Sequence, residues 1–153
     1  MRKPGGFTLI ELLVVIMIVA VVIAIAQPSF KETIERRRIE GAGTELSTDL
    51  QYARSLAATR NTSVDLTTNN AGTGYTIAES SGGTTHRTVT LADSLSITAN
   101  TTITYESVRG TSNAANLTIS SSLSTDSIRV STNVMGRVQM CIPSGNLPGF
   151  SSC

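Results

Sequence analysis

The hydrophobic pattern changes texture twice along the chain. Residues 7–26 form an apolar run broken only by Thr8 and Glu11, with Glu11 the only charged member. A helix of that length, at 1.5 Å per residue, covers about 30 Å, the hydrocarbon thickness of a bilayer. Beyond it the apolar residues thin to a stripe. Phe30 and Ile34 stand four apart, and Ile39, Ala42, Leu46, Leu50, Ala53 and Ala57 follow at steps of three or four. That spacing predicts an amphipathic helix to about residue 60. Pro28, between the two halves, removes a backbone donor and predicts a bend or a loosened turn. Gly41 and Gly43 each weaken a helix by about 1 kcal/mol relative to alanine. Residues 7–60 together would make a helix of roughly 80 Å, whose second half needs a surface on which to bury its stripe.

From Asn61 the period shortens to alternation with turn clusters between the runs. Strands are predicted at 64–66, 75–78, 86–91, 95–98, 101–106 and 117–120, with turns at 69–72 and 80–83 and an exposed loop over 109–116. The most regular stretch comes last. Ile128 and Val130 alternate with Arg129 and Ser131, and Val138, Met140 and Ile142 alternate with Arg137, Gln139 and Cys141. A hairpin turning over 133–136, with Gly136 free to take a positive φ, would send Arg129, Arg137 and Gln139 to one outward face. From Pro143 the chain is too rich in Pro, Gly and Ser for an element. There is no internal repeat and no second domain boundary after the helix. The fold class expected is α+β, a long N-terminal helix packed on a small antiparallel β domain.

Composition narrows the chemistry. Charged residues are sparse, Trp is absent, and 12 basic residues against 11 acidic ones leave a net charge of +1. Any anionic partner would therefore be met by a local patch rather than by a global field. Arg36-Arg37-Arg38 is interspersed with Glu32, Glu35 and Glu40 within helical reach and reads as a salt-bridged solvated face, with lipid headgroups or a neighbour's acids as the alternative contact. His86 has no evident partner, no metal-ligand cluster or phosphate-binding glycine motif is present, and no catalytic constellation forms. An enzyme, a cofactor and a metal are not expected. The Asn-x-Ser/Thr triplets at Asn61, Asn100 and Asn116 are no more than chance provides in so polar a sequence. Cys141 and Cys153 lie in the last thirteen residues. Two cysteines without histidines make a poor metal site, and in an oxidising compartment they would bridge.

Arg2 and Lys3 precede the apolar run, which places its start in the cytoplasm and the remaining chain outside. An ordinary secretory signal, cut after Ala24-Ile25-Ala26, would release a free periplasmic binding module. A glutamate inside the apolar region is unusual for such a signal. Gly6-Phe7-Thr8-Leu9-Ile10-Glu11 resembles instead the type IV prepilin signal. That resemblance implies cleavage between Gly6 and Phe7 by a prepilin peptidase and methylation of the new terminus at Phe7. It also implies a retained membrane anchor and a kink at Pro28. The parts would then be a leader over 1–6, a transmembrane and assembly helix over 7–28, and a periplasmic domain over 29–153. Losing Arg2 and Lys3 would leave 10 basic and 11 acidic residues, net −1. In this family Glu11 is expected to pair with the α-amino group of a neighbouring subunit. On physical grounds alone it is an interfacial acid that can snorkel.

The small β-rich body and the ending Gly136-Arg137-Val138-Gln139-Met140-Cys141 resemble the GspH/FimT family of minor pilins and pseudopilins. The resemblance implies a subunit at or near the tip of a type IV pilus, or of a type II secretion pseudopilus, with other pilins and the inner membrane as partners. In some FimT-type members a Gly-Arg-x-Arg motif binds DNA. Gly136 and Arg137 match it, Gln139 replaces its second arginine, and Arg129 stands beside them as a further candidate. Weak, sequence-independent DNA binding is the corresponding expectation.

Overall fold

The computed structural model describes residues 6–98 and 100–153, except for the side chains of 26–29. The expectation attached to Pro28 therefore lies outside the described side chains. Two units emerge, one ending at Ile34 and one running from Glu35 to Cys153.

The first unit is the beginning of α1 (Leu9–Arg60). Thr8 stands at the N-cap, where its hydroxyl accepts the Glu11 amide at 3.3 Å and its carbonyl accepts the Leu12 amide at 3.2 Å. Thr8 and Glu11 have the spacing of a capping box, and Phe7 and Leu12 that of a hydrophobic staple. Local chemistry therefore starts the helix just after Phe7. Among the described residues no single helix is long and apolar enough by itself to cross a membrane. Its apolar part with described side chains, Leu9–Ile25, would be about 25 Å long.

The second unit joins the rest of α1 to eight strands: β1 (Val64–Thr68), β2 (Gly74–Glu79), β3 (Thr85–Thr90), β4 (Leu95–Ile97), β5 (Thr102–Tyr105), β6 (Ala115–Ser121), β7 (Ser124–Thr132) and β8 (Val138–Ser144). Each predicted strand has its counterpart. They form two antiparallel sheets, ordered β3-β2-β1-β5 and β4-β6-β7-β8. Alternation sends Leu66, Ile77, Ile103 and Tyr105 inward from the first sheet and Leu117, Ile119, Ile128 and Val130 from the second. Both sets meet the helix stripe of Ile39, Ala42, Leu46, Leu50, Ala53, Leu56 and Ala57. Phe30 and Ile34, predicted as the start of that stripe, are exposed. Both belong to the first unit and not to the compact body.

Polar side chains fix how the helix sits. Glu35 is buried; its carboxylate accepts from Arg38 at 2.8 Å, Ser94 at 3.0 Å and Ser121 at 3.1 Å. Asp49, also buried, accepts from the Tyr75 hydroxyl at 2.8 Å and pairs with Arg87 at 3.0 Å. Burial, then the Asp49 carboxylate, push the Tyr75 phenol far above its ordinary range. Gly43 serves close packing. A Cβ there would lie 2.8 Å from Cγ2 of the fully buried Ile128, whereas at Gly41 it would meet nothing within 4 Å. Gly41→Ala is therefore expected to stabilise the body by up to about 1 kcal/mol, and Gly43→Ala to destabilise it by about 1–3 kcal/mol through overpacking. Thermal melts of the two variants should move in opposite directions; an upward shift for both would show that Ile128 yields at no cost.

The tail corrects the expectation that nothing forms after Pro143. β8 includes Pro143, tolerated because β8 is an edge strand. The chain then returns along that edge: the Ile142 amide donates to the Ser151 carbonyl at 2.9 Å and the Cys153 amide to the Ile142 carbonyl at 3.0 Å. Leu147 is buried and Phe150 packs on the core. Cys141 and Cys153 are disulfide-bonded beside this pairing, with Cα atoms 5.0 Å apart. Apolar contact, backbone pairing and a covalent staple together cover an edge that would otherwise be open to another strand.

Candidate functional site

The predicted processing and assembly residues lie at the start of α1. Gly6 and Phe7 lie outside any regular element before the helix, and Phe7 is 87% exposed. Glu11 is exposed in the first helical turn. A carboxylate at this position meets the positive end of the helix dipole, which favours it whatever its role in assembly. Along this part of the helix the large aliphatic side chains from Leu9 to Ile25 are all exposed. Uncovered apolar surface on that scale marks a membrane or subunit contact.

The DNA-binding candidates do not line one hollow. Arg129 and Gln139 line a hollow beside the disulfide, with Asn116, Ser131 and Ser152. Arg129 lies directly across from Cys141, and Ser131 from Gln139. Arg137 lines a different hollow, with Arg54 and Arg109. It precedes β8 and sits in the turn, where the Asn133 side chain accepts both its amide, at 2.9 Å, and that of Met135, at 3.1 Å. That Asn-centred turn holds Arg137 before β8, outside the strand alternation on which the single-face expectation rests. Gly136 has φ +69°, as its sequence position suggested. The close approach that it permits is already occupied, because a Cβ there would collide with the Gly110 carbonyl.

The hollow around Arg137 could not be read from the sequence, because its three arginines come from separate elements. Arg54 lies near the end of α1, Arg109 in the loop between β5 and β6, and Arg137 between β7 and β8. Beneath them Tyr105 is fully buried, and its hydroxyl has no hydrogen-bond partner. Burial pushes that phenol up to about 12, with the Arg54 charge acting in the opposite direction.

His86 does have a partner, contrary to the sequence reading. Its Nε2 lies 3.3 Å from a Glu79 carboxylate oxygen across the β2–β3 pair. The arginine run divides likewise. Arg37 and Arg38 pair locally with Glu40 and Glu35, while Arg36 reaches Asp126 at 2.9 Å. Among the described residues no group of His, Cys, Asp and Glu could hold a metal.

A long helix with an uncovered apolar beginning, followed by a part packed on a small two-sheet body, defines the pilin class of subunit. Residues 1–27 match the family described as the prokaryotic N-terminal methylation motif, and residues 42–136 match type II transport protein GspH. The chain belongs to the GspH family of minor type IV pilins and type II secretion pseudopilins, which are structural subunits and not enzymes. The type IV minor pilin FimU of Pseudomonas aeruginosa shares the fold, at TM-score 0.59 and 24% identity over 69% of this chain and 90% of that one. So does the minor pseudopilin EpsH from the type 2 secretion system of Vibrio cholerae, at TM-score 0.59 and 13% identity over 69% of this chain and 98% of that one. A fimbrial protein of Moraxella nonliquefaciens is 36% identical over 72 residues, which are 42% of this chain; the match spans 47% of that relative, about half its length. Subunits of this family are anchored in the inner membrane and assemble with other pilin-family subunits.

Proposed function

We propose that this chain is a minor type IV pilin, a low-abundance structural subunit at or near the tip of a pilus fibre. The observation that carries the reading is the exposed aliphatic surface of α1 from Leu9 to Ile25, joined to a methylation motif over 1–27. Such a helix needs lipid before assembly and neighbouring helices after it. In this reading prepilin peptidase cuts between Gly6 and Phe7, Phe7 is methylated, the start of the helix faces the cytoplasm and the body lies in the periplasm. The likeness to a fimbrial protein favours the pilus. The second reading, a minor pseudopilin of a type II secretion system, is supported by the GspH match and by the fold of EpsH. A released periplasmic module is disfavoured, because the methylation motif spans the site at which it would be cut. Arg129 and Gln139 line one hollow and Gly136 and Arg137 another, a division that disfavours DNA binding by the four as one surface.

Glu11→Ala tests the assembly reading. It removes a carboxylate whose burial in a bilayer costs about 3 kcal/mol at the centre and less near the interface, so membrane insertion should persist or improve. Incorporation into sheared fibres should fall at least tenfold if the carboxylate forms a desolvated pair with a neighbour's amino terminus, a loss of about 1.4 kcal/mol or more. Equal amounts of mutant and parent in fibres would reduce Glu11 to a helix-capping acid.

A further inference from the structure

Arg54, Arg109 and Arg137 line one hollow of about 610 Å³. All three are exposed. The ion pairs found among the described residues engage Arg36, Arg37, Arg38, His86 and Arg87, and none of these three. The nearby Glu106 carboxylate accepts from the Thr111 hydroxyl at 2.8 Å and makes no ion pair with any of the three. Three like charges therefore converge with no ion pair in the body to offset them.

Their placement is built into the backbone. Gly110 and Gly136, at φ +59° and +69°, pack against each other, and Arg54 Nε lies 3.2 Å from where a Cβ would stand on either. The turn carrying Arg137 is tied to the loop carrying Arg109, because the Ser112 amide donates to the Val134 carbonyl at 3.2 Å. Beyond residue 60, four large hydrophobic side chains stand exposed among the described residues. Three of them, Val108 at 84%, Val134 at 61% and Met135 at 68%, belong to this same loop and turn.

We propose that this hollow, with the exposed aliphatic side chains of the adjoining loop and turn, docks a neighbouring pilin-family subunit, the arginines receiving its carboxylates and Val108, Val134 and Met135 making the apolar contact. The proposal rests on the reading of the chain as a fibre subunit and names where that contact is made. Guanidinium forks match carboxylates bidentately, and Arg and Met beside apolar side chains are the composition enriched in protein interfaces. A nucleic acid fits less well. No aromatic ring on which bases could stack lines the hollow, the exposed Tyr52 being outside its lining, and three cations neutralise few phosphates.

The test uses the full chain in fibre-producing cells, with a photo-cross-linking amino acid at Val108. Irradiation should yield an adduct with a second subunit bearing the prepilin signal, through a peptide containing Asp or Glu. The double variant Arg109→Glu and Arg137→Glu should lower the adduct about tenfold or more, since like charges then face each other. Lysine in place of the partner's carboxylate should restore it. The neutral pair Arg109→Gln and Arg137→Gln, read beside it with a thermal melt, should give an intermediate loss without unfolding. An adduct unchanged by the double reversal overturns the proposal. So does the lack of any adduct while the chain is present in sheared fibres, and the subunit reading then survives. Absence of the parent chain from fibres overturns both. Duplex DNA titrated into the full chain in detergent supplies the other arm: binding lost in the double variant, with the adduct unchanged, assigns the hollow to nucleic acid.

Discussion

Asp126→Ala is expected to lower the melting temperature of the body by about 10 °C, a loss of about 2–4 kcal/mol. The side chain is almost fully buried and joins three parts of the chain. Its carboxylate accepts from Arg36 of the helix at 2.9 Å, from Ser124 at 2.9 Å and from the Asn146 amide of the tail at 2.9 Å. It also occupies the space where a Cβ on Gly145 would stand, and Gly145 has φ +91°. Alanine would leave the Asn146 amide and the Ser124 hydroxyl unpaired and remove the tail's anchor to β7. The half-exposed Arg36 pair is partly screened, so most of the loss should come from the buried hydrogen bonds. Burial opposes the charge of Asp126, but the Asn146 amide, the Ser124 hydroxyl and Arg36 outweigh it and hold the carboxyl below its ordinary value. A depressed folded-state value means that the stabilisation is complete above the unfolded-state value near pH 4 and is lost as pH falls through the folded one. The difference between parent and variant should thus be constant at neutral pH and shrink below about pH 4. Melts across that range check it; a difference that persists undiminished at the lowest pH would assign the loss to packing alone.

Gly6→Leu is expected to have an all-or-none effect. The residue is exposed and outside the helix, immediately before Phe7 and the Thr8 cap, where a peptidase can reach the backbone. A bulky side chain on the cleaved bond should leave the uncut precursor in the membrane and none of the chain in sheared fibres. The body should be unaffected, because a Cβ at Gly6 meets nothing within 4 Å. An unchanged melt alongside lost processing would separate the effect from misfolding. Normal processing of the variant would show that the cleavage site lies elsewhere.

Much of the fold was legible because its signals are local. Alternation of Ile, Val and Leu with Thr and Ser marked all eight strands, and the 3–4 spacing from Ile39 to Ala57 marked the buried face of α1. The division into two sheets was not legible. β1 pairs with β5 across the intervening β2, β3 and β4, a partner that no short-range pattern encodes. Long-range polar contacts were hidden for the same reason. Arg36 looked like one member of a solvated run, yet its partner Asp126 lies ninety residues on. Pro, Gly and Ser disguised the tail, although its buried Leu147 holds it to the core and its Ser151 carbonyl pairs with β8. At the surface, strand alternation grouped Arg137 with Arg129 and Gln139. The Asn133 turn groups it instead with Arg54 and Arg109, which the sequence gives no reason to connect.

The most direct test of the central claim is the mature N-terminus of the chain recovered from sheared fibres, read by mass spectrometry. The subunit account predicts a chain that begins at Phe7, carries one methyl group on its amino terminus and is found in both membrane and fibre fractions. A soluble product beginning at Gln27, absent from both fractions, would contradict it.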